Sequence, residues 1–170
     1  MRKSWTENKL NIILYIILFV IFTQRAPMLV SQFKSEGSTI KTVTLQTSTM
    51  QPVYFPKPNE KSVVVFWTTW CGPCSVELNR INKAILNKEI DPQKIYAVNL
   101  GEDPDLVKVE FAKRQYKFQV YFNFNKSLEA QLNAKITPTV AFIDDKQKLR
   151  WLSSGISPLL IYRIHRFLEL

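Results

Sequence analysis

The sequence predicts an α/β domain with a mixed central sheet flanked by helices on both faces, preceded by an N-terminal transmembrane or signal-anchor helix. First, short runs of β-branched and aromatic residues alternate with segments of helical apolar spacing. Second, their order, β-β-β-α-β-α-β-α-β-β-α, implies a mixed sheet with helices on both faces. Third, an apolar run at residues 10–22 stands apart from the rest of the chain.

The apolar run, LNIILYIILFVIF, follows three basic residues, Arg2, Lys3 and Lys9. Its thirteen residues fit a cleavable signal peptide better than a span of roughly 20 residues. However, no small-residue cleavage site follows, so we expect an uncleaved signal anchor, with a cleaved signal peptide as the alternative. The basic residues place the N-terminus in the cytoplasm. We therefore expect a single-pass protein of the inner (cytoplasmic) membrane whose domain lies on the periplasmic or extracytoplasmic side.

The predicted boundaries are an anchor at residues 1–30, a polar tether at 31–39 and a domain at 40–170. The chain carries a formal charge of +9, of which +4 belongs to its first 35 residues. Basic and acidic residues are interspersed in the domain, with no basic run beyond Lys113-Arg114. Because nucleic-acid binding requires clustered basic residues, we expect no nucleic-acid partner.

Seven segments have the composition of strands. Ile40–Gln46 alternates between apolar and polar residues, as a half-buried strand does. Ser62–Trp67 is a continuous β-branched and aromatic run, typical of a strand buried on both faces. The remaining predicted strands are Val53–Phe55, Ile95–Leu100, Phe118–Phe124, Thr139–Ile143 and Leu149–Leu152.

Four segments have helical signals. The first follows the cysteines, and its apolar residues Cys74, Leu78, Ile81 and Ile85 share one face. The second begins at Asp103-Pro104, an N-cap followed by a proline, and its apolar residues are Leu106, Val109 and Phe111. Ser127 is predicted to cap a short third helix, Leu128–Ala134. Ser157-Pro158 is predicted to open the last, whose core residues are Leu160, Ile161, Ile164 and Leu168.

Cys71 and Cys74 are the only cysteines of the chain. A zinc site needs four ligands, and the single histidine, His165, is far away in the sequence, so no metal and no cofactor are expected. A structural disulfide across so short a loop would stabilise little. A redox dithiol agrees with the local chemistry, because a cysteine at a helix start has a lowered pKa. Cys71 is thus predicted to attack and the shielded Cys74 to resolve.

The cysteines stand in a motif that resembles a known family. Residues 70–74, WCGPC, match the thioredoxin active-site pentapeptide, and residues 136–139, ITPT, resemble the loop that carries the cis-proline of that fold. With VVVFWTTWCGPCSVEL, NLGEDPDLVKVEF and KITPTVAFIDD, the chain over about residues 40–169 resembles the exported TlpA/ResA-type membrane-anchored thioredoxin-like thiol–disulfide oxidoreductases. Leu78-Asn79 replaces a helix-kinking proline that is common there.

The resemblance implies a thioredoxin-like fold and a set of site residues. Thr137 and Pro138 would pair with substrate peptide, and Trp70, with Gly72 and Pro73, would contact it. Glu77 would be the acid that exchanges a proton with Cys74, and a solvated helix glutamate is the alternative. Four further aromatic residues are expected in the core: Trp67, Tyr96, Phe122 and Phe124.

The expected function is reduction of client protein disulfides by the Cys71/Cys74 dithiol. Its Gly-Pro dipeptide matches the reductant thioredoxin, at about −270 mV, rather than a strong oxidant. By resemblance, apocytochrome c is a client class, in cytochrome c maturation, and an integral membrane thiol reductase is the electron donor. The alternatives are a disulfide-forming oxidase and a non-catalytic assembly factor that binds a partner through the Pro138 loop.

Overall fold

Seven strands pair into one mixed sheet. They are β1 (Val43–Thr47), β2 (Pro52–Phe55), β3 (Ser62–Trp67), β4 (Ile95–Asn99), β5 (Gln119–Phe122), β6 (Thr139–Ile143) and β7 (Leu149–Ser154). Their order in the sheet is β2-β1-β5-β4-β3-β6-β7. The central strands β3, β4 and β5 are parallel, whereas β6 runs antiparallel to β3. The predicted mixed sheet is confirmed.

Helices cover both faces of this sheet. They are α1 (Gly72–Leu86), α2 (Pro104–Lys113), α3 (Ser127–Leu132) and α4 (Leu160–Glu169), with a 3-10 turn at Pro92–Lys94. Side chains alternate between the faces of a strand. Accordingly, Val63 and Val65 of β3 pack in the core layer that includes residues of α1, α2 and α4. Val64 and Phe66 pack in the layer that includes residues of α3.

The structure, a computed structural model, describes residues 11–20 and 36–169. The chain divides into two compact units, Met1–Lys34 and Ser35–Leu170. In the first, residues 11–20 are helical. Within the described ranges, no helix has the length and apolar character needed to cross a membrane. Most of the predicted anchor and of the predicted tether lies outside the described residues, and the anchor stays a prediction.

The first predicted strand begins later than expected. The ladder of β1 starts at Val43, whereas Ile40 donates its backbone N–H to Gln147. Residues 37–39, the described end of the predicted tether, pair with the start of β7: the backbone N–H of Gly37 donates to the carbonyl of Leu149 at 2.6 Å. This short pairing brings the chain onto the domain before β1 begins.

Three local predictions are wrong. Ser127 does not cap α3, because it is the first residue of that helix and its N–H binds the side chain of Asn125. The helix ends at Leu132 because Asn133 takes a left-handed conformation, with φ 50°. Phe124 follows the end of β5 and is 60% exposed rather than buried.

The apolar residues of α2 lie on two different faces of the helix. Val107 and Phe111 form its buried face, whereas Leu106 and Val109 are exposed. The N-cap of this helix is Asp103, as predicted, because its carboxylate accepts the backbone N–H groups of Asp105 and Leu106. The predicted core positions of Trp67, Tyr96 and Phe122 are confirmed, each being at most 2% exposed.

Candidate active site

Cys71 is the N-cap of α1, as the sequence predicts. Its sulfur accepts the backbone N–H of Cys74 at 3.1 Å, and its carbonyl accepts the N–H of Ser75. Pro73 lies in the first turn, where a missing N–H leaves no helical hydrogen bond unmade. The helix dipole and this N–H group both favour negative charge on the Cys71 sulfur.

The two sulfurs form a disulfide bond of 2.08 Å. Cys74 is completely buried beneath the first turn, whereas Cys71 retains 5% of its surface. The difference is small, but it leaves Cys71 as the cysteine of the pair that solvent reaches. The arrangement can exchange disulfides, because a thiolate at Cys71 can attack another disulfide and the buried Cys74 can then attack the Cys71 sulfur.

The Pro138 loop and the cysteines lie at the same end of two neighbouring strands, β6 and β3. Phe66, near the end of β3, pairs with Thr139 at the start of the antiparallel strand β6. The Thr137–Pro138 bond is cis, as the resemblance implies, and the Pro138 carbonyl accepts the N–H of Gly155 at 2.7 Å. Thr137 makes no hydrogen bond within the described chain. Its backbone N–H and carbonyl therefore have no hydrogen-bond partner among the described residues.

Trp70, immediately before Cys71, is 77% exposed. Within the described part of the chain, its ring makes no aromatic contact and its indole no hydrogen bond. Trp67, three residues earlier, is 1% exposed and packs against Phe111 with 5.7 Å between ring centroids. The sequence-based division of the two tryptophans into core and surface agrees with these positions.

Glu77 is completely buried on α1, so the alternative of a solvated glutamate is wrong. One carboxylate oxygen accepts from Nη1 of Arg80 at 2.9 Å, and the other accepts the backbone N–H of Ser157 at 2.6 Å. Arg80 also donates to the carbonyls of Ser157 and Pro158. Among the described residues, Glu77 has no hydrogen bond to either cysteine.

Sequence reasoning missed Glu102, which holds the loop in front of Cys71. Its carboxylate accepts the backbone N–H of Thr69 at 2.7 Å, the Thr69 hydroxyl at 2.5 Å and Nδ2 of Asn99 at 2.6 Å. Asn99 is 1% exposed at the end of the apolar strand β4. A buried amide there needs a polar partner, and this was the available signal for the network.

The described ranges contain no group of three His, Cys, Asp or Glu side chains that could hold a metal ion. The prediction that no metal or cofactor takes part stays a prediction. The chemistry of the site as described rests on the two sulfurs and their surroundings.

Comparison with known proteins places this site in a family. The chain matches the Redoxin family over residues 35–159. It is 23% identical over 128 residues to the sporulation thiol-disulfide oxidoreductase A of Bacillus subtilis, covering 74% of this chain and 76% of the relative. It is 30% identical over 91 residues to the thiol-disulfide oxidoreductase ResA of Geobacillus kaustophilus, covering 53% and 52%.

The fold has a solved counterpart. The crystal structure of StoA from Bacillus subtilis superimposes with a TM-score of 0.65 and 18% identity, covering 76% of this chain and 98% of StoA. The chain belongs to the Redoxin family, as a thioredoxin-like thiol–disulfide oxidoreductase of the TlpA/ResA type.

Proposed function

We propose that this oxidoreductase reduces disulfides of client proteins outside the cytoplasm, tethered to the cytoplasmic membrane by its N-terminal segment. The supporting observation is the placement of the two sulfurs: Cys71 caps α1 and Cys74 is completely buried one turn further on. The Gly72-Pro73 dipeptide between them matches that of thioredoxin, whose potential of about −270 mV makes it a reductant.

The proposed reaction has two exchange steps. The Cys71 thiolate attacks one sulfur of the client disulfide, forming a mixed disulfide and releasing the first client thiolate. The Cys74 thiolate then attacks the Cys71 sulfur and releases the second client thiolate. The client gains two electrons and, on protonation of its thiolates, two protons, and the enzyme is left with the Cys71–Cys74 disulfide. An integral membrane thiol reductase would return the dithiol form.

Glu77 is the proposed proton acceptor for Cys74 before the second step. It is buried one helical turn beyond Cys74, where side chains three residues apart are neighbours. In the oxidised form its carboxylate is bound by Arg80 and Ser157. The role therefore requires this carboxylate to exchange partners when the dithiol forms.

The proposed client surface consists of Trp70, Gly72 and Pro73 on one side and Thr137-Pro138 on the other. An extended client segment would pair with the backbone of Thr137 through main-chain hydrogen bonds, as a strand does. Apocytochrome c is the proposed client class, because its haem-site cysteines must be reduced before haem attachment. By reducing these cysteines, the enzyme would act in cytochrome c maturation.

Trapping the mixed disulfide tests this function. In cells, Cys74→Ser should accumulate client proteins joined to Cys71, visible as reducible bands on a non-reducing gel and named by mass spectrometry. Cys71→Ser is the matched control and should trap few, because Cys74 is buried. Equal trapping by both variants would contradict the assigned roles. A parent protein found mainly as the Cys71–Cys74 disulfide, with clients left unoxidised in its absence, would indicate an oxidase instead.

A further inference from the structure

A cleft opens beside the active-site loop, between that loop and the first turns of α2. Its volume is about 590 Å³. We call it the Trp70 cleft, and its lining residues are Thr69, Trp70, Asp105, Leu106, Val109 and Glu110. Trp70 precedes the attacking sulfur directly, so the cleft begins one residue away from the reaction.

The walls of the Trp70 cleft are unusually apolar for an exposed surface. Trp70, Val109 and Leu106 are 77%, 71% and 55% exposed. The core does not need these three side chains, because α2 already buries Val107 and Phe111. A contiguous exposed apolar patch on a soluble domain marks an interaction site.

The cleft and the Pro138 loop lie on opposite sides of β3. In the sheet, β4 is one neighbour of β3 and β6 is the other. The cleft is formed by α2, which follows β4, whereas Pro138 directly precedes β6. A client segment that pairs with the Pro138 loop and crosses the Cys71 sulfur is therefore directed toward the cleft.

The two charged residues that line the cleft are both acidic, although the whole protein carries +9. Asp105 is paired with Lys108 at 3.1 Å and is 89% exposed, and Glu110 is paired with Arg114 at 2.7 Å. Glu102 lies behind the loop at Thr69. An acidic client side chain at this rim would meet like charge, whereas a basic one would not.

We infer that the Trp70 cleft binds an apolar side chain that flanks the disulfide cysteine of the client, in a segment that is basic rather than acidic. The inference rests on the proposed function and adds a specificity to it. In the mixed disulfide, the client cysteine is bonded to Cys71, so its neighbouring residue is held over Trp70. Burial of that side chain against Leu106 and Val109 then stabilises the intermediate.

Synthetic peptides closed by one disulfide test the inference. They carry either Leu or Ser on both sides of one cysteine, and their reduction is measured with the full-length dithiol protein in detergent. The readout is the kcat/KM for the Leu peptide divided by the kcat/KM for the Ser peptide. A change in thiol reactivity alters both values by the same factor, so it leaves this ratio unchanged. We expect a ratio of about ten, as for an apolar side chain in a partly open pocket.

The variants Leu106→Ser and Val109→Ser should each lower this ratio to within about threefold of unity. Leu86→Ser is the matched control, because Leu86 is a similarly exposed leucine, at 59%, but lies at the far end of α1. It should keep the parent ratio. Peptides with Lys in the next position should react faster than peptides with Glu, and Asp105→Asn with Glu110→Gln should reduce that difference.

The outcomes separate the two proposals. A parent that reduces the Leu and Ser peptides equally well overturns the inference and leaves the reductase function intact. A ratio that stays at about ten in both Leu106→Ser and Val109→Ser also overturns it. A parent dithiol that reduces neither peptide overturns the proposed function, and the inference with it.

Discussion

The backbone N–H of Ser157 donates to the buried carboxylate of Glu77 across 2.6 Å, although the two residues are 80 positions apart. Arg80 completes the contact by binding the other carboxylate oxygen and the Ser157 carbonyl. The active-site helix α1 is thereby joined to the segment that leads into α4. A buried carboxylate without such partners would be costly, so each partner matters to stability.

Arg80→Met should lower the free energy of unfolding by about 2–4 kcal/mol, because it removes the cation from a buried carboxylate. The expected loss is below that of a fully buried pair, since the Arg80 side chain is 32% exposed and Ser157 still binds Glu77. Urea denaturation of the oxidised protein measures it. The exposed Arg166→Met is the control and should change stability by less than about 0.5 kcal/mol. Equal losses in both variants would contradict the prediction.

Glu77→Gln should slow resolution of the mixed disulfide more than it slows the initial attack. The amide keeps the shape of the side chain but cannot take the proton of Cys74. Loss of a positioned base typically costs about 10²-fold or more, whereas attack by Cys71 should change less than about threefold. Rapid-quench separation of a preformed peptide–Cys71 mixed disulfide measures the resolving step.

Arg80→Met separates the role of Glu77 as a proton acceptor from its role in joining α1 to the segment that leads into α4. It weakens the same contact to Ser157 and Pro158 but leaves the carboxylate in place. If Arg80→Met slows resolution as much as Glu77→Gln does, Glu77 acts by positioning α1 and not by accepting a proton.

The bounds of a strand were predictable where a run of apolar residues is buried on both faces of the sheet. The bounds of β3 and β6 agree with the predicted Ser62–Trp67 and Thr139–Ile143. Each is a continuous apolar run after a polar first residue, Ser62 or Thr139, and every residue in both strands is buried. The start of α3 was not predictable, because a serine before an apolar run can either cap a helix or begin it. The side chain of Asn125, which binds the Ser127 N–H, decides between the two.

The site shows the same division between local and distant information. Cys71 as N-cap and the cis-proline at Pro138 follow from short motifs. Arg80 and Glu102 do not, because their partners Pro158 and Thr69 are 78 and 33 positions away. The apolar spacing of α2 predicts a helix, but only the packed structure shows which of its apolar residues face outward.

Glu102→Ala should destabilise the domain by about 1–3 kcal/mol, because the buried amide of Asn99 and the N–H of Thr69 lose their acceptor. The change should also raise the accessibility of the loop before Cys71, measured as faster hydrogen exchange at Thr69. Glu89→Ala is the control, since the one hydrogen bond that the Glu89 side chain accepts from the described residues is exposed and comes from Asn87. An unchanged exchange rate at Thr69 would show that the carboxylate does not hold the loop.

The N-terminal segment should anchor the protein without being cleaved, because no small-residue cleavage site follows residues 10–22. The purified protein should retain residues 1–26, and it should stay in the membrane fraction after carbonate washing. Replacing Leu14 and Ile17 by lysine should release it or block its export, since each lysine at the centre of a span costs about 2.5–3.5 kcal/mol. Tyr54→Lys, in the domain, is the control and should leave the protein in the membrane. A soluble product that begins near residue 27 would contradict the anchor and leave the redox chemistry of Cys71 and Cys74 unaffected.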